Sequence, residues 1–128
     1  MKDESQAIGG YIARVPEARR ERAFALHGLI LGLFPQAEVS MALRRPTYRL
    51  GRNTLAWANA RGTLVIYTQS GERIAGFRAR HPEVKGALGS LRFGDGQRLP
   101  LADLAQVVRN ALAPSRPLLA RELARGRR

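Results

Sequence analysis

Several short strand-like segments follow one another at turn spacing between residues 41 and 101, with an amphipathic helical pattern on either side of them. Segments of this length and order predict an antiparallel sheet packed against helices. The predicted strands span residues 39–43, 47–50, 54–58, 63–68 and 90–93. We therefore predict an α+β fold in which a helix, an antiparallel β-meander, a short helix, one more strand and a C-terminal helix follow in that order.

The first long helix is predicted from apolar periodicity and from proline. Apolar residues recur every three or four positions across residues 16–34, and Pro35 ends the helix because proline has no backbone N–H. Gly28 and Gly32 are expected to face the sheet and to allow close packing against it. The two later helices are predicted over residues 71–80 and 101–112.

The ends of the chain are expected to contribute little to the fold. Residues 1–8 show no periodicity and are expected to fray, while residues 9–16 are expected to form a turn before the helix. The predicted single domain therefore covers residues 9–113. A basic C-terminal tail is predicted over residues 114–128.

Charge and composition bound the class of protein. The 128 residues carry 22 basic and 10 acidic side chains, which gives a formal net charge of +12 and favours an acidic partner. Cysteine is absent, so disulfides and thiolate chemistry are excluded. The longest apolar stretch is far too short to cross a bilayer, and the first five residues do not resemble a signal peptide. A cytoplasmic protein without a membrane span is expected.

Six short motifs follow one another in order along residues 11–112. They are YIARVPE at 11–17, FPQAE at 34–38, PTY at 46–48, LVIY at 64–67, GSLRF at 89–93 and LPL at 99–101. In order and spacing they resemble the YdhG-like bacterial proteins, which are frataxin-like in shape. That family includes a proposed intracellular iron chaperone and many proteins of unknown function. The resemblance therefore implies the shared fold and iron handling, with iron the only cofactor implied.

The chain departs from that family at residues 43–46. Its sequence there is Leu-Arg-Arg-Pro, where the family commonly shows a Tyr-Gly-Met-Pro type sequence. This departure removes an aromatic marker and adds two positive charges.

Carboxylates are the ligands that iron favours, and the sequence offers few of them. Glu17 and Glu21 stand four residues apart, so they share one face of the first helix and are the candidate metal ligands. Four arginines surround them. The alternative interpretation is therefore that both carboxylates form surface ion pairs.

No catalytic constellation is recognised. His27 and His81 are the only histidines, and neither has a second ligand or a base at a recognisable spacing. The Gly-Asp-Gly segment at 94–96 lacks the flanking ligands of a calcium loop, and no serine has a base in a known motif. The sequence therefore predicts a protein that is not an enzyme.

Basic residues outnumber acidic ones strongly in the segment predicted to form the sheet. Alternation along the strands places Arg49 and Arg92 opposite apolar neighbours, on a face away from the core. The candidate polyanion-binding residues are Arg44, Arg45, Arg49 and Arg92. Tyr48, Trp57 and Tyr67 would add stacking surfaces only if they share that face, and a core position is the alternative.

Two hypotheses about function follow. The first is a small non-enzymatic cytoplasmic binding or carrier protein of the YdhG-like type, with iron handling implied by the resemblance. The alternative is a module that binds nucleic acid or another acidic partner through a basic sheet face. Acidic clustering favours the first and a contiguous basic face favours the second, although an arginine excess also arises in genomes rich in G and C without any binding function.

Overall fold

A computed structural model describes residues 5–114 of the chain. Within them, five antiparallel strands form one sheet in which each strand pairs with the next in sequence. The strands are β1 Glu38–Ser40, β2 Thr47–Leu50, β3 Asn53–Ala60, β4 Thr63–Tyr67 and β5 Ser90–Gly94. The predicted antiparallel meander is confirmed. The basic tail predicted after residue 114 lies outside the described residues.

Four α-helices accompany the sheet. They are α1 Ser5–Ala13, α2 Glu17–Leu33, α3 Ala75–Arg80 and α4 Leu101–Leu112. Pro16 stands immediately before α2, and Pro35 lies two residues after its end. Proline has no backbone N–H, so it is tolerated at the start of a helix and cannot continue one. None of the helices in the described part of the chain is long and apolar enough to cross a membrane.

Helix α1 corrects the prediction for the N-terminal residues. Residues 5–13 form a helix where a frayed end and a turn were predicted, because Ile8 and Ile12 are both fully buried. The adjacent Gly9 and Gly10 cost about 1 kcal/mol each in a helix. Burial of two isoleucine side chains contributes about 1.5–3 kcal/mol each, which offsets that cost.

The β1–β2 connection also differs from the prediction. Strand β1 ends at Ser40 rather than at residue 43, and a single 3₁₀ turn follows over Ala42–Arg44. Leu43 and Arg44 both take left-handed backbone conformations, with φ of 55° and 63°. Such a pair cannot continue a strand.

The core lies on one face of the sheet. Strand pairing sets Tyr48 opposite Leu55 and Trp57 opposite Ile66, and all four side chains are buried in one cluster with residues from the helices. The opposite face carries mainly polar and small residues, and we call it the open face. Its members include Thr47, Arg49, Thr54, Ala56, Ala58, Thr63, Val65, Tyr67 and Arg92.

Helix α2 meets the core with its aliphatic side. Ala23, Leu26 and Ile30 are buried, as their spacing predicts. Gly28 and Gly32 are exposed instead, and a Cβ built on either would meet nothing within 4 Å. The prediction that these glycines allow close packing against the sheet is wrong, because they lie on the solvent side of the helix.

Candidate polyanion interface

The open face carries a row of cations across the sheet. Pairing aligns Val65 with Arg92, and Lys85 bridges to Arg92 beyond the edge strand. Arg45 lies on the same face, with its guanidinium carbon 4.0 Å from the ring centroid of Tyr67. We call Arg45, Arg92 and Lys85 the cationic row. Val65 is only 4% exposed, so neighbouring side chains cover this part of the open face.

Arg49 lies at the other end of the open face. Its side chain is 58% exposed, and its guanidinium is 3.8 Å from the carboxylate of Glu38. An ion pair of this exposure and distance stabilises little, so Arg49 remains available to another anion. The two residues line a cleft of about 340 Å³ together with the hydroxyl-bearing Ser40, Thr47 and Thr54.

Two of the three candidate stacking residues belong to the core. Tyr48 and Trp57 are fully buried, and Trp57 Nε1 donates a 2.9 Å hydrogen bond to Tyr48 Oη. Tyr67 alone lies on the open face, where Arg45 covers it. The open face therefore presents a guanidinium plane to a partner rather than a bare aromatic ring.

Other arginines of the sheet-forming segment hold the backbone. Arg73 Nη1 donates to the carbonyls of Asn110 and Ala111, at 3.0 and 2.9 Å, at the C-terminal end of α4. Arg78 Nη2 donates to the carbonyl of Ser90 at 2.7 Å. Cations at a helix C-terminus complement the orphan carbonyls and the helix dipole. These arginines are structural, so the number of basic residues overstates the charge free to bind a partner.

The candidate metal ligands have no further ligands beside them in the described part of the chain. Glu17 and Glu21 are both exposed on α2. Among residues 5–114, no group of three or more His, Cys, Asp or Glu side chains is placed to hold a metal ion. Arg19 binds Asp95 instead of either glutamate, with Nε 2.5 Å from Oδ1, and this hydrogen bond lowers the pKa of Asp95.

Sequence reasoning missed a cluster around His81. Its Nε2 is 2.7 Å from Asp103 Oδ2, and its Nδ1 is 3.5 Å from Glu83 Oε2. Arg80 binds the other oxygen of Asp103 at 2.9 Å, and the His81 ring stacks on Phe77 with centroids 4.4 Å apart. The hydrogen bond with His81 is the main reason why the pKa of Asp103 is lowered.

The His81 cluster borders a cleft of about 690 Å³. The two nitrogens of His81 face carboxylates on opposite sides of the ring, so Glu83 and Asp103 do not converge on one point with it. None of the described residues that line the cleft is Ser, Thr, Cys or Lys. The cluster therefore connects α3 to α4, and the described lining of the cleft offers no hydroxyl, thiol or amine nucleophile.

Arg44 lies apart from the other candidate cations. It lines a second cleft, which also contains Arg14 of the α1–α2 connection and Asn59 of β3. Asn59 pairs with the buried Leu64, which places it on the core side of the sheet. The four predicted polyanion-binding residues thus divide between two sites, with Arg45, Arg49 and Arg92 on the open face.

Comparison with known proteins identifies the fold. Neither a family model nor a curated protein matches the sequence. A crystal structure of a DUF1801 family protein, YdhG, from Bacillus subtilis matches with a TM-score of 0.70 over 80% of this chain and 86% of that chain. The chain has a YdhG-like fold. Sequence identity between the two is 12%, so the match concerns the fold alone.

This match bears on the sequence-based resemblance. The YdhG-like, α+β prediction is confirmed. The frataxin-like description stays a prediction. The neighbour's DUF1801 label names no activity or ligand, so function has to be argued from the side chains of this chain.

Proposed function

We propose that this protein is a non-enzymatic cytoplasmic binding protein whose open face holds the phosphate backbone of single-stranded nucleic acid. The observation that carries the proposal is the cationic row of Arg45, Arg92 and Lys85 on the sheet face opposite the core cluster. Iron handling has less support, because the described residues contain no acidic cluster that could hold the metal.

The dimensions of the row suit a flexible polyanion. Neighbouring strands lie about 4.8 Å apart, and the Arg45 guanidinium lies over Tyr67 of β4, next to the strand β5 that carries Arg92. Lys85 extends the row by about one more strand spacing. A sheet face of this kind accommodates a single strand laid across it, whereas reading a duplex requires an element that enters a groove.

The residues predict binding that depends on charge more than on base identity. The Arg45 guanidinium lies over the Tyr67 ring, and a guanidinium plane can stack against any base. Arg45, Arg49, Lys85 and Arg92 give about four phosphate contacts, for which log affinity falls with log salt at a slope of about −3. Affinity for a single strand is therefore expected to drop about 50-fold between 50 and 200 mM salt.

Fluorescence anisotropy with a labelled 20-nucleotide oligo(dT) tests the proposal. Arg45→Gln/Arg92→Gln is expected to weaken binding at least 10-fold at low salt and to reduce the salt slope by about 1.4, since two contacts are lost. The matched control Arg52→Gln/Arg109→Gln removes the same charge from exposed side chains elsewhere and is expected to change affinity less than 3-fold. Thermal melts of each variant establish that folding is retained.

Two results would overturn the proposal. Equal losses in the test and control variants would show that the protein acts only through its overall positive field. Absence of binding to oligo(dT) at 50 mM salt would remove nucleic acid as the partner. Arg45→Lys separates charge from stacking, because lysine keeps the charge and loses the planar group.

A further inference from the structure

A second site lies on the helix side of the sheet, apart from the open face. A cleft of about 610 Å³ opens between α1, the β1–β2 connection and β3. Its polar lining is formed by Tyr11, Arg14, Arg44 and Asn59, and none of the described residues that line it is Asp or Glu. Two cations therefore border a cleft whose described lining has no carboxylate, and its volume is typical of a small-molecule site.

Asn59 and Tyr11 both line this cleft, and each has a hydrogen-bonding group without a partner among the described residues. The backbone N–H of Asn59 donates to Tyr11 Oη at 2.9 Å, which leaves the tyrosine O–H free to donate. Asn59 Oδ1 is buried and has no hydrogen-bond partner among the described residues. Buried polar atoms are almost always paired, so an unpaired amide at a cleft indicates a missing partner. Rotation about χ2 presents its NH₂ group instead, with two donors.

Neither of the two arginines has a side-chain partner in the described part of the chain. Among residues 5–114, neither Arg14 nor Arg44 makes an ion pair or side-chain hydrogen bond. The Arg14 side chain folds over α1. Its Nη1 is 3.8 Å from the position that a Cβ at Gly10 would occupy. Its guanidinium is thus placed along the wall of the cleft.

A left-handed turn places Arg44 at the cleft. Its backbone φ is 63°, a left-handed conformation that residues other than glycine seldom adopt. Backbone hydrogen bonds hold the turn, from Arg44 N to Met41 O at 3.0 Å and from Arg45 N to Ala42 O at 3.1 Å. Strain of this kind persists where the surrounding structure over-determines it, and it is frequent at ligand sites.

We infer that this cleft binds a small molecule through a phosphate monoester group. Such a group carries a charge close to −2 at neutral pH and accepts several hydrogen bonds. Arg14 and Arg44 balance that charge, and guanidinium groups match the geometry of phosphate oxygens. The Tyr11 hydroxyl and the Asn59 amide supply neutral donors, while Val15 adds an apolar wall for the rest of the ligand.

Isothermal titration calorimetry with inorganic phosphate, AMP and succinate tests the inference. Phosphate and AMP are expected to bind, and Arg14→Gln and Arg44→Gln are each expected to weaken binding at least about 10-fold, as loss of a charge-assisted hydrogen bond requires. Asn59→Asp is nearly isosteric but places a negative charge in the cleft, so it is expected to abolish binding. Tighter binding of AMP identifies an organic phosphate as the ligand, and equal binding identifies free phosphate.

The controls keep this site distinct from the open face. Arg52→Gln/Arg109→Gln and Arg45→Gln/Arg92→Gln are both expected to leave AMP binding within 3-fold of wild type. The inference is overturned if these variants weaken AMP as much as Arg14→Gln/Arg44→Gln does, if succinate binds as tightly as phosphate, or if no phosphate compound binds at 10 mM. Arg14 and Arg44 are exposed, so their variants report on the cleft even where Asn59→Asp fails to fold.

Discussion

Removal of the Tyr48 hydroxyl tests a chain of hydrogen bonds inside the core. Trp57 Nε1 lies 2.9 Å from Tyr48 Oη, which in turn lies 2.8 Å from His27 Nδ1. Burial lowers the pKa of His27 and raises the pKa of Tyr48. The tryptophan N–H therefore donates to the tyrosine oxygen, and the tyrosine O–H donates to a neutral imidazole.

The structure gives the size of the effect. Tyr48→Phe removes two hydrogen bonds, each of which contributes about 1 kcal/mol net to stability. It also leaves the N–H of Trp57 without an acceptor in a site where both rings are fully buried, at a cost of about 1–3 kcal/mol. Because these contributions overlap, we expect the free energy of unfolding to fall by about 2–4 kcal/mol.

Urea unfolding followed by far-UV circular dichroism measures this change. Tyr67→Phe is the matched control, because among the described residues the Tyr67 hydroxyl makes no hydrogen bond, and it is expected to change stability by less than about 0.5 kcal/mol. The double variant Tyr48→Phe/Trp57→Phe removes donor and acceptor together, so its cost should be smaller than the sum of the single costs. A Tyr48→Phe midpoint equal to that of Tyr67→Phe would refute the proposed chain of hydrogen bonds.

Three further predictions concern α2. Gly28→Ala and Gly32→Ala are each expected to stabilise the protein by about 0.5–1 kcal/mol in urea unfolding, since both positions are exposed, helical and free of steric contact; a loss of stability would contradict their placement. Because the pKa of His27 is lowered in the folded state, the unfolded chain binds more protons, and stability should fall as the pH drops below about 6.5, by up to about 1.4 kcal/mol per unit. A His27→Gln variant should show a smaller drop than wild type, and an identical pH profile would contradict the assignment. In anaerobic calorimetry ferrous iron is expected to bind weakly, and tight stoichiometric binding that survives Glu17→Gln/Glu21→Gln would show that the metal site lies elsewhere.

Local patterns predicted most of the sheet and the last helix. Alternation of apolar and polar residues fixed which side chains of β2 and β5 point outward, so Arg49 and Arg92 lie on the open face as expected. Helix α1 could not be predicted in this way. Two adjacent glycines argue against a helix locally, and only contact with the distant core makes Ile8 and Ile12 stabilise it.

The candidate sites depended on contacts between distant parts of the chain. Arg73 binds carbonyls 37 and 38 residues away, and His81 binds Asp103 across 22 residues, spacings that belong to no recognised motif. The position of Arg44 beside the second cleft could not be predicted for a different reason. Its left-handed φ is typical of glycine, the residue that the YdhG-like pattern carries there, and nothing in an arginine-rich segment reveals backbone conformation.

Because the strand order equals the chain order, the sheet can assemble while the chain is still being synthesised. Each strand pairs with the one made just before it, and the short connections from β1 to β4 allow pairing with little loss of loop entropy. Helix α4 packs against α2 and β3 but is the last of the described elements to be made. At about 5–20 residues per second the ribosome needs about 0.6 to 2.4 seconds to add the 12 residues of α4. Until α4 has been added, the apolar side chains of α2 and β3 that it covers stay exposed, so the nascent chain is expected to be most prone to aggregation before that point.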